Sequence, residues 1–418
     1  AVDIAVPISA EGRFCVQITD PQSGDVLGTS PVTTLAGYPW ELAYPHKNAL
    51  YASLRYQWPL RVSVLMASAQ ARARLKAEVT LNDAQGKVAR RIIGSPSAQG
   101  PVVPLDGRGL PCGEYRLHLS VKDADGRSLL QSERPLRVLA AAQTEIVCAP
   151  NGDTLLNGQR FFPIGLYWVL ANPEGWKPGP GRKTADLQEL RQAGFNTLHT
   201  YAFEHNDAND TDENALAYLD MAQQLGFKVM LGLRRDWYQG KELNVAAIEQ
   251  RVRRLRQHPA LLCWALWDEP DGDVANVPRV QAVYDLVNAL DPYHPAMPVF
   301  MSAGGRPFRE AADVNLFDCY PGAGNAGILP GVFERVSIAI PDKPIWYAAQ
   351  AYKQGDKLPS EQDMRLYWQH ALKAGAKAVF WYSYGGDGRD WDSIRITDEH
   401  YANVRRVVRE LADTVEKP

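Results

Sequence analysis

The sequence predicts an α/β protein, a (β/α)8 TIM barrel preceded by an N-terminal antiparallel β-sandwich domain. Up to about residue 145, short apolar–polar alternations are separated by turn residues, which indicates half-buried strands. After that point strand-like runs alternate with amphipathic helices, which indicates βα units around a parallel sheet. We therefore predict two domains in the 418-residue chain, at residues 1–145 and 146–418.

The N-terminal strands are predicted from period-two patterns. Leu75–Leu81 alternates apolar and polar residues, and the run from Tyr115 to Val121 places its apolar residues on one face. Turn sequences follow both runs, at Asn82–Gly86 and Asp123–Gly126. Strands of this kind at this spacing favour an antiparallel sandwich. We find no cluster of catalytic residue types in this part of the sequence.

Eight strand-like runs follow residue 145, most of them about 30 residues apart, which is the size of a βαβ unit. They are Phe162–Leu166, Thr197–Thr200, Lys228–Leu233, Leu261–Leu266, Pro298–Met301, Val314–Phe317, Ile345–Ala348 and Ala378–Trp381. Eight units favour a closed barrel. The alternative is a doubly wound sheet, but no GxGxxG segment follows the first run.

The helices between these runs also have recognisable ends. Ser360 and Asp363 form a capping-box pattern, and the helix that they start is predicted to end near Gly375. Strands five and six are close in the sequence, so the helix between them, around Pro307–Ala312, must be short.

Composition excludes several classes of partner. The chain is 45% hydrophobic and 22% charged with a formal net charge of −3, which argues against a nucleic-acid or anionic-membrane binder. No run of about 20 apolar residues occurs, so we expect no membrane span. Eleven Trp and eighteen Tyr suit the stacking of sugar rings as well as ordinary cores. The oligomeric state stays open.

We expect neither a metal site nor a cofactor, because the cysteines show no CxxC spacing and no His/Asp/Glu spacing fits a metal. Cys15 and Cys112 can pair within the β domain, which would fit an oxidising compartment. The chain starts at Ala1 without Met, as a processed secretory protein or a trimmed sequence would. These features lead us to expect a secreted or periplasmic protein.

The fourth run ends in an unusual way, at Trp267-Asp268-Glu269-Pro270. Burying an unpaired carboxylate is costly, so two acids at the end of a core strand need a reason. Pro270 stops the strand and forces the chain to turn. Glu269 is therefore expected at the carboxyl end of the barrel, where such folds carry their chemistry.

Acids and aromatic residues recur at the ends of the other strands, which the barrel would gather around one cleft. The candidate ligand-contacting residues are Tyr167, Trp168, Tyr201, Arg234, Asp236, Tyr320, Gln350, Trp381 and Tyr384. Tyr352 and Tyr382 occupy equivalent positions, and Asp318 follows strand six.

Several motifs, in the same order, resemble the large clan of retaining (β/α)8-barrel glycoside hydrolases. Asn157–Gly165 resembles the entry into such barrels, and Trp267-Asp268-Glu269-Pro270 is similar to the Asn-Glu-Pro after their fourth strand. Asp318-Cys319-Tyr320-Pro321 and Lys343-Pro344-Ile345-Trp346 resemble segments at strands six and seven, and Trp381 resembles the aromatic residue at strand eight. The resemblance covers about residues 145–418 and implies that Glu269 is the general acid/base, acting on a carbohydrate.

Two departures leave the mechanism open. Asp268 stands where the clan has Asn, and Gln350 stands at the end of strand seven, where the clan has its nucleophilic Glu. One reading is that another carboxylate completes the pair in a glycoside hydrolase acting on an oligo- or polysaccharide, with Asp318 first and Asp236 or Glu204 behind it. The second is substrate-assisted, N-acetylhexosaminidase-like hydrolysis by Asp268 and Glu269. The third is a noncatalytic carbohydrate-binding barrel.

Overall fold

A computed structural model of the chain describes residues 40–64, 69–168, 182–201, 210–240, 242–301, 303–385 and 393–416, together with short strands at 12–14, 17–19, 26–29 and 33–35. Contacts along the chain divide it into two compact units, Ala1–Ala141 and Ala142–Pro418. None of the helices within these ranges combines the length and the apolar character needed to cross a membrane.

The first unit consists of β-sheets. Its strands are β1 (Gly12–Phe14), β2 (Gln17–Thr19), β3 (Val26–Thr29), β4 (Thr33–Leu35), β5 (Trp40–Ala43), β6 (Ala49–Tyr51), β7 (Trp58–Val64), β8 (Lys76–Asn82), β9 (Val88–Ile93), β10 (Val102–Leu105), β11 (Gly113–Lys122) and β12 (Ser128–Leu139). A short helix, α1 (Ala69–Ala73), lies between β7 and β8. The larger sheets have the orders β10-β7-β5 and β6-β12-β11-β8-β9.

The predicted alternation of the N-terminal strands is confirmed. In β11, Tyr115, Leu117, Leu119 and Val121 are buried, while the residues between them are exposed or half-buried. The strand pairs antiparallel with both of its neighbours, β8 and β12. One pair departs from the antiparallel prediction, because β6 runs parallel to β12.

The second unit is a closed parallel barrel of eight strands, as the sequence predicts. A small antiparallel sheet leads into it, formed by β13 (Ile146–Cys148), β14 (Thr154–Leu156) and β15 (Gln159–Phe161). The barrel strands are β16 (Ile164–Trp168), β17 (Thr197–His199), β18 (Lys228–Gly232), β19 (Leu261–Asp268), β20 (Ala296–Met301), β21 (Asn315–Cys319), β22 (Ile345–Gln350) and β23 (Ala378–Tyr384). Pairing of β16 with β23 closes the ring.

Helices follow the strands as in other barrels of this type. They are α2 (Arg182–Gln192), α3 (Asp212–Gln224), α4 (Val245–Leu255), α5 (Val277–Leu290), α6 (Leu329–Ala339), α7 (Glu361–Lys373) and α8 (Asp398–Val415). The capping box of Ser360 and Asp363 starts α7 as predicted. The short segment before strand six is a 3-10 helix, Arg306–Ala311.

Strand boundaries differ from the predicted ones by a few residues, for physical reasons. The first strand begins at Ile164 rather than Phe162, and Pro163 has no N–H for a ladder hydrogen bond. The fourth strand continues to Asp268, and all of its residues before Asp268 are buried. A run buried on both faces is typical of a parallel sheet covered by helices.

Candidate active site

Glu269 directly follows β19 and has a left-handed backbone, with φ 51° and ψ 50°. Its N–H donates to the carbonyl oxygen of Val299 on β20 at 2.8 Å, so the backbone is held where the strand ends. Successive residues of a regular strand point to opposite faces of the sheet, and the left-handed turn interrupts this alternation. Non-glycine residues in this conformation are strained and occur preferentially at functional sites.

Three carboxyl groups meet at this end of the barrel, as the strand ends predict for Asp268, Glu269 and Asp318. Asp318, on β21, is only 8% exposed, whereas Glu269 is exposed. Burial, the charges of Glu269 and Asp268, and a hydrogen bond to Glu269 raise the pKa of Asp318 to about 9, against a smaller opposing hydrogen bond to Tyr320. The Asp318 carboxyl therefore keeps its proton at neutral pH, beside an exposed partner acid.

Asp268 is held by a tyrosine from another strand end. The hydroxyl of Tyr201, just beyond β17, donates to Oδ2 of Asp268 at 3.0 Å. This contact joins two residues that the sequence places in the same cleft, and it fixes one oxygen of the half-buried Asp268 carboxyl.

A fourth acid, Asp271, was not among the predicted residues. Its Oδ1 accepts a hydrogen bond from the N–H of Met301 at 3.0 Å, and burial, together with the charge of Glu269, raises its pKa. The signal in the sequence was its place two residues after Glu269, within the same turn. This end of the barrel is therefore acidic.

Five tyrosines, each from a different strand end, form a cluster around these carboxyl groups, which we call the tyrosine cluster: Tyr167, Tyr201, Tyr320, Tyr352 and Tyr382. The ring of Tyr382 lies 5.3 Å from Tyr167, 5.7 Å from Tyr201, 5.7 Å from Tyr320 and 5.4 Å from Tyr352, between centroids. Tyr167 is 1% exposed, while the other four are half-buried. Burial raises the pKa of Tyr352, as do the charges of Asp318 and Glu269, so this phenol belongs to the same electrostatic site.

Gln350, predicted to contact substrate, instead forms hydrogen bonds with two loops of the barrel. It is fully buried, its Oε1 accepts from the N–H of Gly322 at 2.8 Å, and its Nε2 donates to the carbonyl oxygen of Tyr352 at 3.2 Å. Both ends of the amide are therefore bound to loops beyond β21 and β22. A sugar has no access to this side chain, and an ionised carboxylate cannot make the second hydrogen bond.

Three of the predicted aromatic residues are likewise inaccessible. Trp168 and Trp381 are fully buried and Tyr384 is 1% exposed. The rings of Trp168 and Tyr384 stack at 4.2 Å between centroids, and the Tyr384 hydroxyl donates to Oδ2 of Asp186 at 2.5 Å. These three side chains pack within the barrel wall, where a sugar cannot stack on them. Their burial therefore argues against the predicted role in substrate binding.

Arg234 and Asp236 contact each other rather than the carboxyl groups at β19 and β21. Nε and Nη2 of Arg234 donate to Oδ1 and Oδ2 of Asp236 at 3.0 and 2.8 Å, and Nη1 donates to the carbonyl oxygen of Asp210 at 3.0 Å. The hydrogen bonds from Arg234 lower the pKa of Asp236. Asp236 therefore stays ionised beside Arg234.

Some predictions fall outside the described residues, namely Glu204 as a reserve carboxylate and Cys15 as the partner of Cys112. Cys112 itself is exposed and forms no disulfide with another cysteine that the structure describes. Across the described ranges, no group of three or more His, Cys, Asp or Glu side chains is arranged to hold a metal ion.

No protein-family model matches the chain, and a search of curated proteins finds no match. Solved structures that are similar include a β-glucuronidase from Ruminococcus gnavus in complex with D-glucuronic acid, at 13% identity and a TM-score of 0.49, covering 89% of this chain and 67% of that chain. The apo structure of that enzyme is similar at 14% identity and a TM-score of 0.48, covering 89% and 68%. A likeness of this size bears on neither the activity nor the individual site residues of this chain.

Proposed function

We propose that the protein is a glycoside hydrolase that cleaves O-glycosidic bonds of an oligo- or polysaccharide, with Asp318 and Glu269 as its catalytic pair. The observation that carries the proposal is the position of the buried Asp318 and the exposed Glu269 at one end of the barrel, where burial and the charge of Glu269 raise the pKa of Asp318 to about 9. Glycosidases use two carboxyl groups of which one carries a proton and the other is ionised. The half-buried tyrosines beside the pair supply flat amphipathic surfaces suited to sugar rings.

The different environments of the two acids assign their roles. Asp318 holds the proton and donates it to the glycosidic oxygen as the bond to the anomeric carbon breaks. Glu269, the exposed partner, attacks the anomeric carbon or stabilises its positive charge, after which water completes hydrolysis. The resemblance of the sequence implied the opposite assignment, with Glu269 as the acid. The burial of Asp318 favours the reversed roles, because the proton of a coupled pair resides on the more poorly solvated acid.

The experiment is hydrolysis of a panel of chromogenic α- and β-glycosides by the full chain and by Glu269→Gln and Asp318→Asn. We expect each substitution to lower kcat at least about 100-fold, the usual contribution of a positioned acid or base. Glu249→Gln, which removes an acid on α4, is the matched control and should retain full activity. Activity that survives both site substitutions would refute the proposed pair.

Substrate-assisted hydrolysis is the second candidate, favoured by the adjacency of Asp268 and Glu269 and by the Tyr201 hydrogen bond that orients Asp268. In that mechanism the acetamido group of the substrate attacks the anomeric carbon. It predicts cleavage of N-acetylhexosaminides but not of the matching hexosides, and activity that depends on Asp268. A noncatalytic barrel would cleave neither, and Glu269→Gln would keep its glycan affinity.

A further inference from the structure

A polar pocket lies at the carboxyl end of the barrel, next to β18, and we call it the strand-three pocket. It has a volume of about 300 Å³, near the lower limit for small-molecule sites. Its wall comes from the start of α3, the segment after β18 and the first turns of α4. The lining residues that matter are Asp210, Asp212, Arg234, Asp236, Trp237 and Arg251. None of the catalytic carboxyl groups or members of the tyrosine cluster lines it.

Oppositely charged groups are buried at the base of this pocket. Arg251 is fully buried; its Nη1 lies 2.6 Å from Oδ1 of Asp210, and its Nε donates to Oδ1 of Asp212 at 2.9 Å. The side chain of Asp236, by contrast, is 47% exposed and marks the entrance, where Arg234 binds it.

Hydrogen-bonding capacity is left over in this buried group. Nη2 of Arg251 and Oδ2 of Asp210 make no hydrogen bond to any residue that the structure describes, and Nε of Arg234 lies 3.9 Å from that Oδ2, beyond hydrogen-bond distance. Buried guanidinium and carboxylate groups normally have all of their hydrogen bonds formed, so each unpaired atom indicates a missing partner. Burial also raises the pKa of Asp210 to about 6, against the opposing effect of Arg251.

The unpaired atoms define the chemistry of that partner. Arg251 needs an acceptor and Asp210 needs a donor, and a hydroxyl group supplies both. An anion would meet the carboxylates of Asp210, Asp212 and Asp236, and a cation would meet two guanidinium groups. A neutral polyol avoids both repulsions.

Trp237 adds an aromatic surface to the pocket. It is half-buried, and the guanidinium carbon of Arg251 lies 4.6 Å from the centroid of its ring. A ring next to paired acid and guanidinium groups is suited to a pyranose, whose C–H face packs on the ring while its hydroxyls bind the charges.

We infer that the strand-three pocket is a secondary binding site for one neutral sugar unit, separate from the catalytic pair. Binding there requires no hydrolysis, so the site goes beyond the proposed function and stands or falls independently of it. It would hold a carbohydrate chain on the protein by a contact remote from the cleaved bond.

The test is tryptophan indole NMR on the full chain carrying Glu269→Gln, titrated with methyl β-D-glucopyranoside, methyl β-D-galactopyranoside and methyl α-D-mannopyranoside. The Trp237 indole signal is identified by its loss in Trp237→Phe. We expect it to shift and saturate with at least one of these glycosides. No shift with any of them, or a shift with methyl β-D-glucuronide alone, would overturn the inference.

Two substitutions then locate the binding. Arg251→Lys keeps the charge but removes the Nη2 donor and should weaken affinity about tenfold, as loss of one hydrogen bond to a charged group does. Arg253→Lys, on the exposed face of α4, should leave affinity unchanged. Where Arg251→Lys does not fold, Trp237→Leu serves in its place, read by saturation-transfer NMR of the sugar protons. Unchanged affinity in the folded variant would place the sugar elsewhere.

Discussion

Asp318 lies close enough to Glu269 for the charge of Glu269 to raise its pKa, although Asp318 lies on β21 and Glu269 directly follows β19, on either side of β20. The closed barrel makes this proximity possible because it brings the carboxyl ends of its strands together. The pair consists of unequal members, one almost fully buried and one exposed. This difference in burial affects how the stability of the protein depends on pH, and it underlies the catalytic roles proposed for the two acids.

The first prediction concerns stability and pH. The folded protein keeps a proton on Asp318 up to a pKa of about 9, whereas the unfolded chain releases it near pH 4. Stability should therefore fall as pH rises between these values. Asp318→Asn removes this dependence and should be more stable than the parent at pH 8, by about 1 kcal/mol or more, since one pKa unit is worth about 1.4 kcal/mol. Urea unfolding from pH 4 to 9 measures it.

The stability advantage of Asp318→Asn should shrink toward acid pH, where the parent no longer has to bury a charge. Asp285→Asn, on the exposed face of α5, is the control and should follow the parent at every pH. Parallel curves for Asp318→Asn and the parent would show that Asp318 is ionised in the folded state.

The second prediction concerns the left-handed backbone of Glu269. Non-glycine residues adopt this conformation at a cost of about 1–2 kcal/mol, which glycine does not incur. Glu269→Gly should therefore unfold at a higher urea concentration than Glu269→Ala, a difference of about 1 kcal/mol. Because both variants lack the carboxyl group, comparing them separates the backbone effect from charge repulsion. A less stable glycine variant would contradict the argument.

The third prediction concerns the two hydrogen bonds made by the side chain of Gln350. Glu is the residue that the resemblance to barrel glycoside hydrolases leads one to expect at the end of strand seven. At position 350, however, it would bury a carboxylate and lose the donor of the hydrogen bond to the Tyr352 carbonyl. Gln350→Glu should destabilise the protein by about 2–4 kcal/mol and should not raise activity. Gln354→Glu, an exposed change of the same kind, should be neutral. Thermal unfolding and the chromogenic assay give both readings.

The fourth prediction concerns Tyr320, whose hydrogen bond lowers the pKa of Asp318. In Tyr320→Phe this stabilisation of the ionised form is lost, so the pKa of Asp318 should rise. The alkaline limb of the pH–rate profile should then move to higher pH, because the acid stays protonated longer. Tyr56→Phe in the N-terminal unit is the control. A limb that moves to lower pH would show that Tyr320 interacts with the pair in another way.

Most of the fold was accessible from the sequence. Runs such as Leu261–Leu266 are apolar throughout because both faces of a parallel barrel strand are covered, and their spacing predicts the number of strands. The ends of the strands were harder to predict: the first strand begins after Pro163, two residues later than predicted, and the fourth continues to Asp268, two residues further than predicted. The parallel pairing of β6 with β12 leaves no mark in the alternation of either strand.

The site was only partly predictable. Strand ends place Asp318 and Glu269 at one end of the barrel, but which of them carries the proton depends on burial, which packing of distant segments decides. Gln350 ends β22 and Trp381 lies within β23, yet both are fully buried. The strand-three pocket was equally hidden, because Asp210 and Arg251 are 41 residues apart in the sequence and meet only when α3 and α4 pack on the barrel.

The tyrosine cluster has a practical consequence. Coupled phenol rings absorb and rotate near-ultraviolet light in a manner that depends on their mutual angles, and the ring of Tyr382 lies at the centre of this set. Any occupant that tilts one ring should alter the circular dichroism of the whole group. The molecule thus contains its own optical reporter of occupancy, usable without a label and before a cleavable substrate is known.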